Sequence, residues 1–501
     1  MDPQKALETS TDVVRGALDS YAQAGGEFTL PGVKAALVAL AEQAKGLLPL
    51  ALGDPALLPD VLRSGLETPR RRGDATRELW ALADRLGDGP ELNRGLRRFR
   101  HRGVVRIALR EVEGLADVGE TSAEMADLAS DCIEGALRGA RRWARERHGR
   151  VLDTAGLEVP FVVLGMGKLG GRELNVGSDI DICFFYGTDE AQCEGGEISP
   201  HQLFAKLAAR TARALGDVTE DGFCFRVDLR LRPEGSQGAL ANSFASAERY
   251  YESFGRTWER AAMLRARPVA GDLELGEDLL SALTSFVYHR AVEPRVAQEM
   301  AEMLERSRRE LSEKDDVKLG PGGIREAEWV VQTLQLLWGG QHPELRVPGT
   351  ALAIRRLAAA GLLPAGAAET LEADWAFLRA LEHRIQVRAG YATHALPRQP
   401  EELEALARSL GQSSAEALRA SLSAVCERVG KLFAEICGER QDGAGVAFDE
   451  LADAVARGES EESLEPRVAQ LFGLEDATEA TVHLRRLGMR ASAPLGPAGR
   501  H

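Results

Sequence analysis

The sequence predicts an α+β protein in which a short mixed β-sheet lies between two long helical regions. Strand-like apolar runs occur at 161–164 (FVVL) and 180–186 (IDICFFY). Residues 225–232 alternate strictly between apolar and charged side chains, the period of a half-buried strand. Elsewhere leucine, alanine and arginine dominate and aromatic residues make up only 5% of the chain, which favours helices packed by aliphatic side chains.

The N-terminal region is predicted to be helical. Residues 1–75 form helices interrupted by glycine and proline, and 74–149 continue the helical pattern. The most basic run, 96–102 (LRRFRHR), is interpreted as a solvated helix face. The alternative is that its charge guides an anionic partner towards a site.

Two carboxylates stand at the start of the second predicted strand. Asp179 and Asp181 follow Gly177 and Ser178, and alternation along a strand places both carboxylates on one face. Two neighbouring carboxylates repel each other, and burying them costs desolvation free energy unless a cation neutralises their charge. Mg²⁺ is the expected cation because it prefers carboxylate and phosphate oxygens. Two solvated strand-edge aspartates are the alternative.

A third carboxylate, Asp228, lies in the alternating strand on the same face as Arg226, Arg230 and Arg232. It could belong to a salt-bridged surface ladder. Beside Asp179 and Asp181 it would instead complete a metal site, and the arginine forks would bind phosphate oxygens.

The turn after the first strand, 165–170 (GMGKLG), matches the dinucleotide-binding pattern G-x-G-x-x-G. The spacing argues against that function, because a strand carrying two aspartates follows about eight residues later instead of a long helix. The G-K-[ST] ending of a Walker A loop is also missing. We interpret the glycines as close-approach positions. The predicted phosphate-binding residues are Gly167, Lys168, Gly177, Ser178, Arg230 and Arg232.

Helical periodicity returns after the strands. A helix is predicted at 198–215, and 292–437 is helical almost throughout. Within this helical region, Glu328, Gln332 and Gln335 recur at helical spacing in the segment 324–337. The preceding Gly322 and Gly323 either face an anion or permit close packing. In the helix at 377–389, His383 is interpreted as structural.

The combined motifs resemble the glutamine synthetase adenylyltransferase family, over about 96–437. The matching stretches are GMGKLGGRELNVGSDIDICFFY, FRVDLRLRPEGSQGAL, WERAAMLRARPVAGD and GPGGIREAEWVVQTLQLLWGG. The resemblance implies a polymerase-β-like nucleotidyltransferase domain with a mixed sheet, flanked by N-terminal helices and a C-terminal helical bundle. The implied domains are 1–149 helical, 150–290 nucleotidyltransferase, 291–440 helical bundle, and 441–501 an acidic segment with a frayed tail.

The family joins two nucleotidyltransferase halves in one chain, and the resemblance is to the N-terminal, adenylyl-removing half. That half has an arginine where this chain has Arg325, whereas the adenylyl-adding half has an acidic residue there. The chain departs from the family pattern at Ala327 (usually Ile), Trp329 (usually Phe) and Gly177 (usually Ser). A second half is not found after residue 440, as expected either of a fragment or of a short member.

The resemblance implies phosphorolytic removal of AMP from an adenylylated tyrosine of glutamine synthetase, with release of ADP. Asp179, Asp181 and Asp228 would be the catalytic and Mg²⁺-binding residues. The implied partners are glutamine synthetase, ATP or ADP, phosphate and a PII-type signalling protein. The alternatives are ATP-dependent adenylylation of glutamine synthetase, or an inactive regulatory module that binds glutamine synthetase or a PII-type protein.

The composition of the chain argues against several other classes of protein. A net charge of −15 argues against general nucleic-acid binding. Six cysteines are scattered without Cys-x-x-Cys spacing, so we predict reduced thiols and no zinc site. The absence of a signal-like N-terminus or a long apolar run predicts a cytoplasmic protein without a membrane segment.

Overall fold

The computed structural model describes residues 3–293, 295–309, 315–364 and 366–437, together with parts of 451–482. The chain forms two compact units, Met1–Phe433 and Ala434–His501. Much of the predicted acidic segment and tail lies outside the described residues. Within the second unit, one helix (Glu461–Phe472) buries Leu464 and Val468 in a small apolar cluster.

Residues 3–148 are mainly helical, as predicted. The helices are α1 (Pro3–Gln23), α2 (Val33–Gln43), α3 (Leu48–Gly53), α4 (Leu57–Arg63), α5 (Thr76–Leu86), α6 (Pro90–Val112) and α7 (Val118–His148). Asp117 caps α7 by accepting a hydrogen bond from the backbone N–H of Glu120 at 2.8 Å. The 31-residue α7 packs against α5 and α6 and supplies much of the core, including Met125, Ala129 and Ile133.

A mixed sheet follows the helices. Its strands are β2 (Phe161–Gly165), β3 (Ile180–Tyr186), β5 (Val227–Asp228), β6 (Ala241–Ser243) and β7 (Arg267–Gly271), while β1 (Val151–Asp153) pairs separately with β4 (Ala191–Cys193). Strand β2 runs antiparallel to both β3 and β7, and β3 pairs in parallel with β5 and β6. The central β2 and β3 are buried on nearly every residue, which explains their continuous apolar sequence. The predicted α+β fold with a mixed sheet is therefore confirmed.

Helices surround the sheet and continue towards the C-terminus. They are α8 (Gly167–Gly170), α9 (Pro200–Gly216), α10 (Phe244–Phe254), α11 (Thr257–Met263), α12 (Leu273–Ala282), α13 (Thr284–Val287), α14 (Arg295–Arg309), α15 (Ile324–Trp338), α16 (Thr350–Ala359), α17 (Ala367–Ala389), α18 (Pro400–Ser409) and α19 (Ala415–Cys437). The predicted helices at 198–215 and 324–337 correspond to α9 and α15. A capping box between Ser199 and Gln202 sets the start of α9.

The predicted strand at 225–232 is shorter than the alternation indicates. Only Val227 and Asp228 pair with β3, and the chain then turns. The turn begins because the Asp228 carboxylate accepts the backbone N–H of Arg230 at 2.8 Å, an Asx-type turn that competes with the strand. Glu234 then adopts a left-handed conformation with φ 61°.

The basic run in α6 is not a solvated face at Arg97. This arginine is fully buried and donates to the carbonyl oxygens of Asn93 at 2.7 Å, Ala214 at 3.0 Å and Gly222 at 2.8 Å. Its guanidinium fork joins α6 to the end of α9, because the last carbonyls of a helix need donors. That interpretation is therefore wrong for this residue.

The glycine pair before α15 permits close packing. A Cβ atom on Gly322 would lie 1.9 Å from the carbonyl oxygen of Cys426, and the residue has φ +70°. This supports the second of the two interpretations of the pair.

In the described ranges, no single helix combines the length and apolar character needed to cross a bilayer. Only α2 taken with Lys45–Gly53 would qualify by length and composition, and those two pieces are bent by 116°.

Candidate active site

A cleft of about 500 Å³ opens beside the edge of the sheet where β3 meets β5. One wall comes from the turn after β2 and from β3 and β5, and the other comes from α11, α15 and the segments at 318 and 386–394. Its charged and polar lining residues are Lys168, Ser178, Asp179, Asp181, Asp228, Arg230, Arg265, Lys318, Arg325, Glu328, Gln332, Gln386 and His394.

Two of the three predicted carboxylates are direct neighbours. Asp181 of β3 and Asp228 of β5 are partners in the parallel pairing, so their side chains leave the sheet on the same face. Burial, and then the charge of Asp228, raise the pKa of Asp181 to about 6. Gly167 leaves room for this carboxylate, because a Cβ atom there would lie 3.0 Å from Asp181 Oδ2 in a backbone with φ +52°.

Arginines hold the other two carboxylates. Asp179 precedes β3, is about half exposed, and accepts a hydrogen bond from Arg226 Nε. Asp228 pairs with Arg230 at 2.6 Å, and this hydrogen bond lowers the pKa of Asp228. As placed, no three His, Cys, Asp or Glu side chains of the described residues come together closely enough to hold a metal ion. Asp181 and Asp228 offer the oxygen donors that Mg²⁺ prefers, but Asp179 does not join them here.

The predicted phosphate-binding residues divide into two groups. Gly167, Lys168, Ser178 and Arg230 line the cleft. Gly177 does not, and its backbone N–H donates to Gln386 Oε1 at 3.2 Å. Arg232 also lies outside the lining, because its guanidinium donates to the carbonyl oxygens of Leu229, Ser236 and Gly238 and so holds the turn after β5.

Lys168 is bound to a carboxylate that sequence reasoning did not select. Its ammonium group lies 2.7 and 2.8 Å from the two oxygens of Glu382, a fully buried residue of α17. Asn175 donates to the same carboxylate at 2.6 Å, and Arg379 also donates to it. Burial lowers the pKa of Lys168 to about 7, although the charge of Glu382 acts in the opposite direction. The glycine-rich turn is thereby fixed to the C-terminal helices.

A second buried network lies beside the first. Arg265 contacts Glu328 at 3.1 Å and also pairs with Glu173, whose other oxygen accepts the backbone N–H of Thr350 at 2.6 Å. These contacts, together with burial of Gly170 against the Arg265 carbonyl oxygen, fix the turn after β2 from its other side.

Lys318 and Arg325 add positive charge to the cleft, and the sequence singled out only Arg325 of these two, through the family resemblance. Lys318 lines the cleft and lies close enough to Asp181 and Glu382 to favour the charged forms of both. Arg325 lines it too, contacting Ser307 and lying with its guanidinium carbon 5.6 Å from the centroid of the Trp329 ring. The cleft therefore combines a carboxylate pair with several cations, a composition suited to phosphate groups bound beside a metal ion.

His383 and His394 have different surroundings. His383 is fully buried, and its Nε2 lies 2.7 Å from Glu111, in agreement with a structural role. His394, which the sequence analysis did not select, lines the cleft beside Glu382. The sequence carried no local signal for Glu382, because its partner Lys168 lies 214 residues away.

Two family models match this chain. Residues 35–282 match the family model described as "Glutamate-ammonia ligase adenylyltransferase", and residues 292–437 match the one described as "GlnD PII-uridylyltransferase".

Three curated relatives carry the name "Bifunctional glutamine synthetase adenylyltransferase/adenylyl-removing enzyme". The protein of Thioalkalivibrio sulfidiphilus is 38% identical over 79% of this chain and 42% of its own length. The protein of Hahella chejuensis is 41% identical over 70% of this chain and 37% of its own length. The protein of Rhodopseudomonas palustris is 37% identical over 85% of this chain and 43% of its own length. The chain thus spans about two fifths of the length of the curated relatives it matches. Through residues 35–282, and through its identity to these relatives, the chain belongs to the glutamine synthetase adenylyltransferase family.

Proposed function

We propose that this chain removes AMP from an adenylylated tyrosine of glutamine synthetase, using inorganic phosphate as the nucleophile and releasing ADP. The observation that carries the proposal is the presence of Arg325 and Lys318 in the same cleft as the Asp181–Asp228 pair. An anionic nucleophile needs cations beside the carboxylates, and the resemblance associates an arginine at 325 with the removing half.

The chemical demands of the two reactions support removal of AMP over its addition. Adding AMP to tyrosine requires a base for the phenol, and Asp228 is the candidate for that base. Its carboxylate is held by Arg230, which lowers its pKa and weakens it as a base. Phosphate is already anionic at neutral pH and needs charge neutralisation more than a base. The cation-rich cleft therefore favours removal.

Asp181 and Asp228 would hold Mg²⁺, with phosphate oxygens of the substrate completing its coordination. When bound, the ion would act as a Lewis acid that neutralises charge on the phosphate oxygens. Asp179 remains the predicted third ligand. Ser178 and Arg230 would bind phosphate oxygens, whereas Lys168 would act mainly by fixing the turn through Glu382.

The test is phosphate-dependent release of ADP from adenylylated glutamine synthetase, in the presence of Mg²⁺. We expect release by the parent chain and a loss of at least about 10²-fold in Asp181→Asn, which keeps the shape of the side chain but removes a charge. Activity of Asp181→Asn within a few-fold of the parent would refute the metal site. Transfer of label from ATP to unmodified glutamine synthetase, without ADP release, would instead support adenylylation.

A regulatory interaction is the second candidate function. Residues 292–437 match the model described as "GlnD PII-uridylyltransferase", and this region includes α15 and α17, which form part of the cleft. We propose that a PII-type protein binds these helices. The test is whether adding a PII-type protein changes ADP release, with direct binding measured by calorimetry.

A further inference from the structure

Among the residues that the structure describes, His394 is the one histidine in the lining of the cleft. It follows α17 on a segment fixed by backbone contacts, because its carbonyl oxygen accepts the N–H of Val317 at 2.8 Å and Ala395 bridges to Asp316. The contact with Val317 places His394 close to Lys318, which lines the same cleft as Asp181 and Asp228. Its backbone is therefore held on both sides.

The imidazole ring is also oriented. Its Nδ1 is buried and lies 2.9 Å from Oε1 of Glu382, the same oxygen that contacts Lys168 at 2.7 Å. Glu382 cannot move easily, because Asn175 and Arg379 hold its other oxygen. The contact between this carboxylate and Nδ1 restrains the position of the ring. The side chain is one quarter exposed, which leaves Nε2 as the ring nitrogen available to a ligand in the cleft.

The proposed reaction needs a proton donor at one atom. When an oxygen of phosphate attacks the phosphorus of the tyrosyl-AMP, a new P–O bond forms and the bond to the tyrosyl oxygen breaks. The electron pair of the broken bond remains on the tyrosyl oxygen, whose conjugate acid has a pKa of about 10. Protonating such a leaving group accelerates its departure by on the order of 10²–10⁴-fold.

We propose that His394, oriented by Glu382, is the general acid that donates the Nε2 proton to the departing tyrosyl oxygen. The products are ADP and the free tyrosine, and solvent returns the proton to the imidazole. Glu382 is then a positioning residue. Lys168 is a weaker candidate for the acid because both oxygens of Glu382 already bind its ammonium group. This inference rests on the proposed removal of AMP and assigns the group that completes it.

The experiment compares two leaving groups. Glutamine synthetase is adenylylated on tyrosine or on a fluorinated tyrosine at the same position, whose phenol is more acidic. We expect His394→Gln to lower the phosphorolysis rate by about 10²-fold or more on tyrosine. The loss should be at least tenfold smaller on the fluorinated residue, because a better leaving group needs less help from an acid. A purely structural role would lower both rates equally.

The matched control is His342→Gln. His342 also places Nδ1 at 2.9 Å from a glutamate, Glu344, but it does not line the cleft, so both rates should stay at the parental level. Equal losses on both substrates, or no loss, would overturn the assignment. If His394→Gln fails to fold, the parent gives an independent readout: proton donation predicts that its rate depends weakly on the acidity of the phenol, and a steep dependence would overturn it. Failure of the parent to release ADP from either substrate would refute the proposed function instead.

Discussion

Replacing Glu382 with glutamine should destabilise the first compact unit strongly. Glu382 is fully buried, and its carboxylate receives contacts from Lys168, Asn175, Arg379 and His394. Glutamine keeps the size of the side chain but removes the negative charge, which leaves buried cations without a counter-charge. Breaking one partner of a buried ion pair costs about 3–5 kcal/mol.

The contacts of Glu382 lead us to expect a loss in the free energy of unfolding near the lower end of the range of about 3–5 kcal/mol. Lys168 can lose its proton, because burial already brings its pKa to about 7, whereas Arg379 has to remain charged. One unavoidable buried charge therefore remains instead of two, and we expect a loss of about 3 kcal/mol in the free energy of unfolding. The measurement is urea denaturation at pH 7.5, followed by tryptophan fluorescence.

The control is Glu372→Gln in the same helix, α17. Glu372 pairs with Arg355, but both side chains are substantially exposed to solvent, so the loss should be about 0–1 kcal/mol. Because the folded protein holds the pKa of Glu382 well below its ordinary value, the contribution of its charge is present above about pH 4.5 and disappears as the pH falls through the folded value. Equal losses for the two variants at pH 7.5 would refute this reasoning.

Two further predictions concern the sheet edge and the glycine-rich turn. Asp181→Asn should raise the free energy of unfolding by on the order of 2 kcal/mol at pH 7.5 without Mg²⁺, because the raised pKa of Asp181 makes parental stability fall as the pH rises from about 4 to 6. Thermal melting across pH 4–8 checks this, and a pH-independent difference would contradict it. Gly170→Ala should cost about 1–3 kcal/mol or more, because its Cβ atom would lie 1.7 Å from the carbonyl oxygen of Arg265. Gly16→Ala, in a helix with no atom within 4 Å of the added Cβ, should instead be neutral or stabilising by about 0.5–1 kcal/mol in the same melting assay.

The sequence predicts well what depends on local pattern. The apolar runs at 161–164 and 180–186 became β2 and β3, and Pro200 after Ser199 marks the start of α9. The pattern placed Asp181 and Asp228 on strands, whereas the pairing that makes them neighbours is seen only in the folded sheet.

What the sequence did not predict depends on contacts between distant segments. Lys168 and Glu382 are 214 residues apart, and neither residue signals the other in the sequence. Arg232 was predicted to bind phosphate but donates to nearby carbonyl oxygens. Arg97 was predicted to face solvent but is buried. In each case a guanidinium group satisfies main-chain oxygens that only the folded structure brings within reach.

The attachment of Glu382 to the glycine-rich turn bears on how this protein can be divided. A recombinant piece ending near residue 290 would contain the whole sheet, but Lys168 and Asn175 would lose the side chain that neutralises and orients them. Such a piece would contain every aspartate of the site and still hold the turn beside them incorrectly. A truncated protein of this kind should therefore be inactive because the turn is misplaced, even though its catalytic aspartates are present. Any minimal catalytic version has to retain α17.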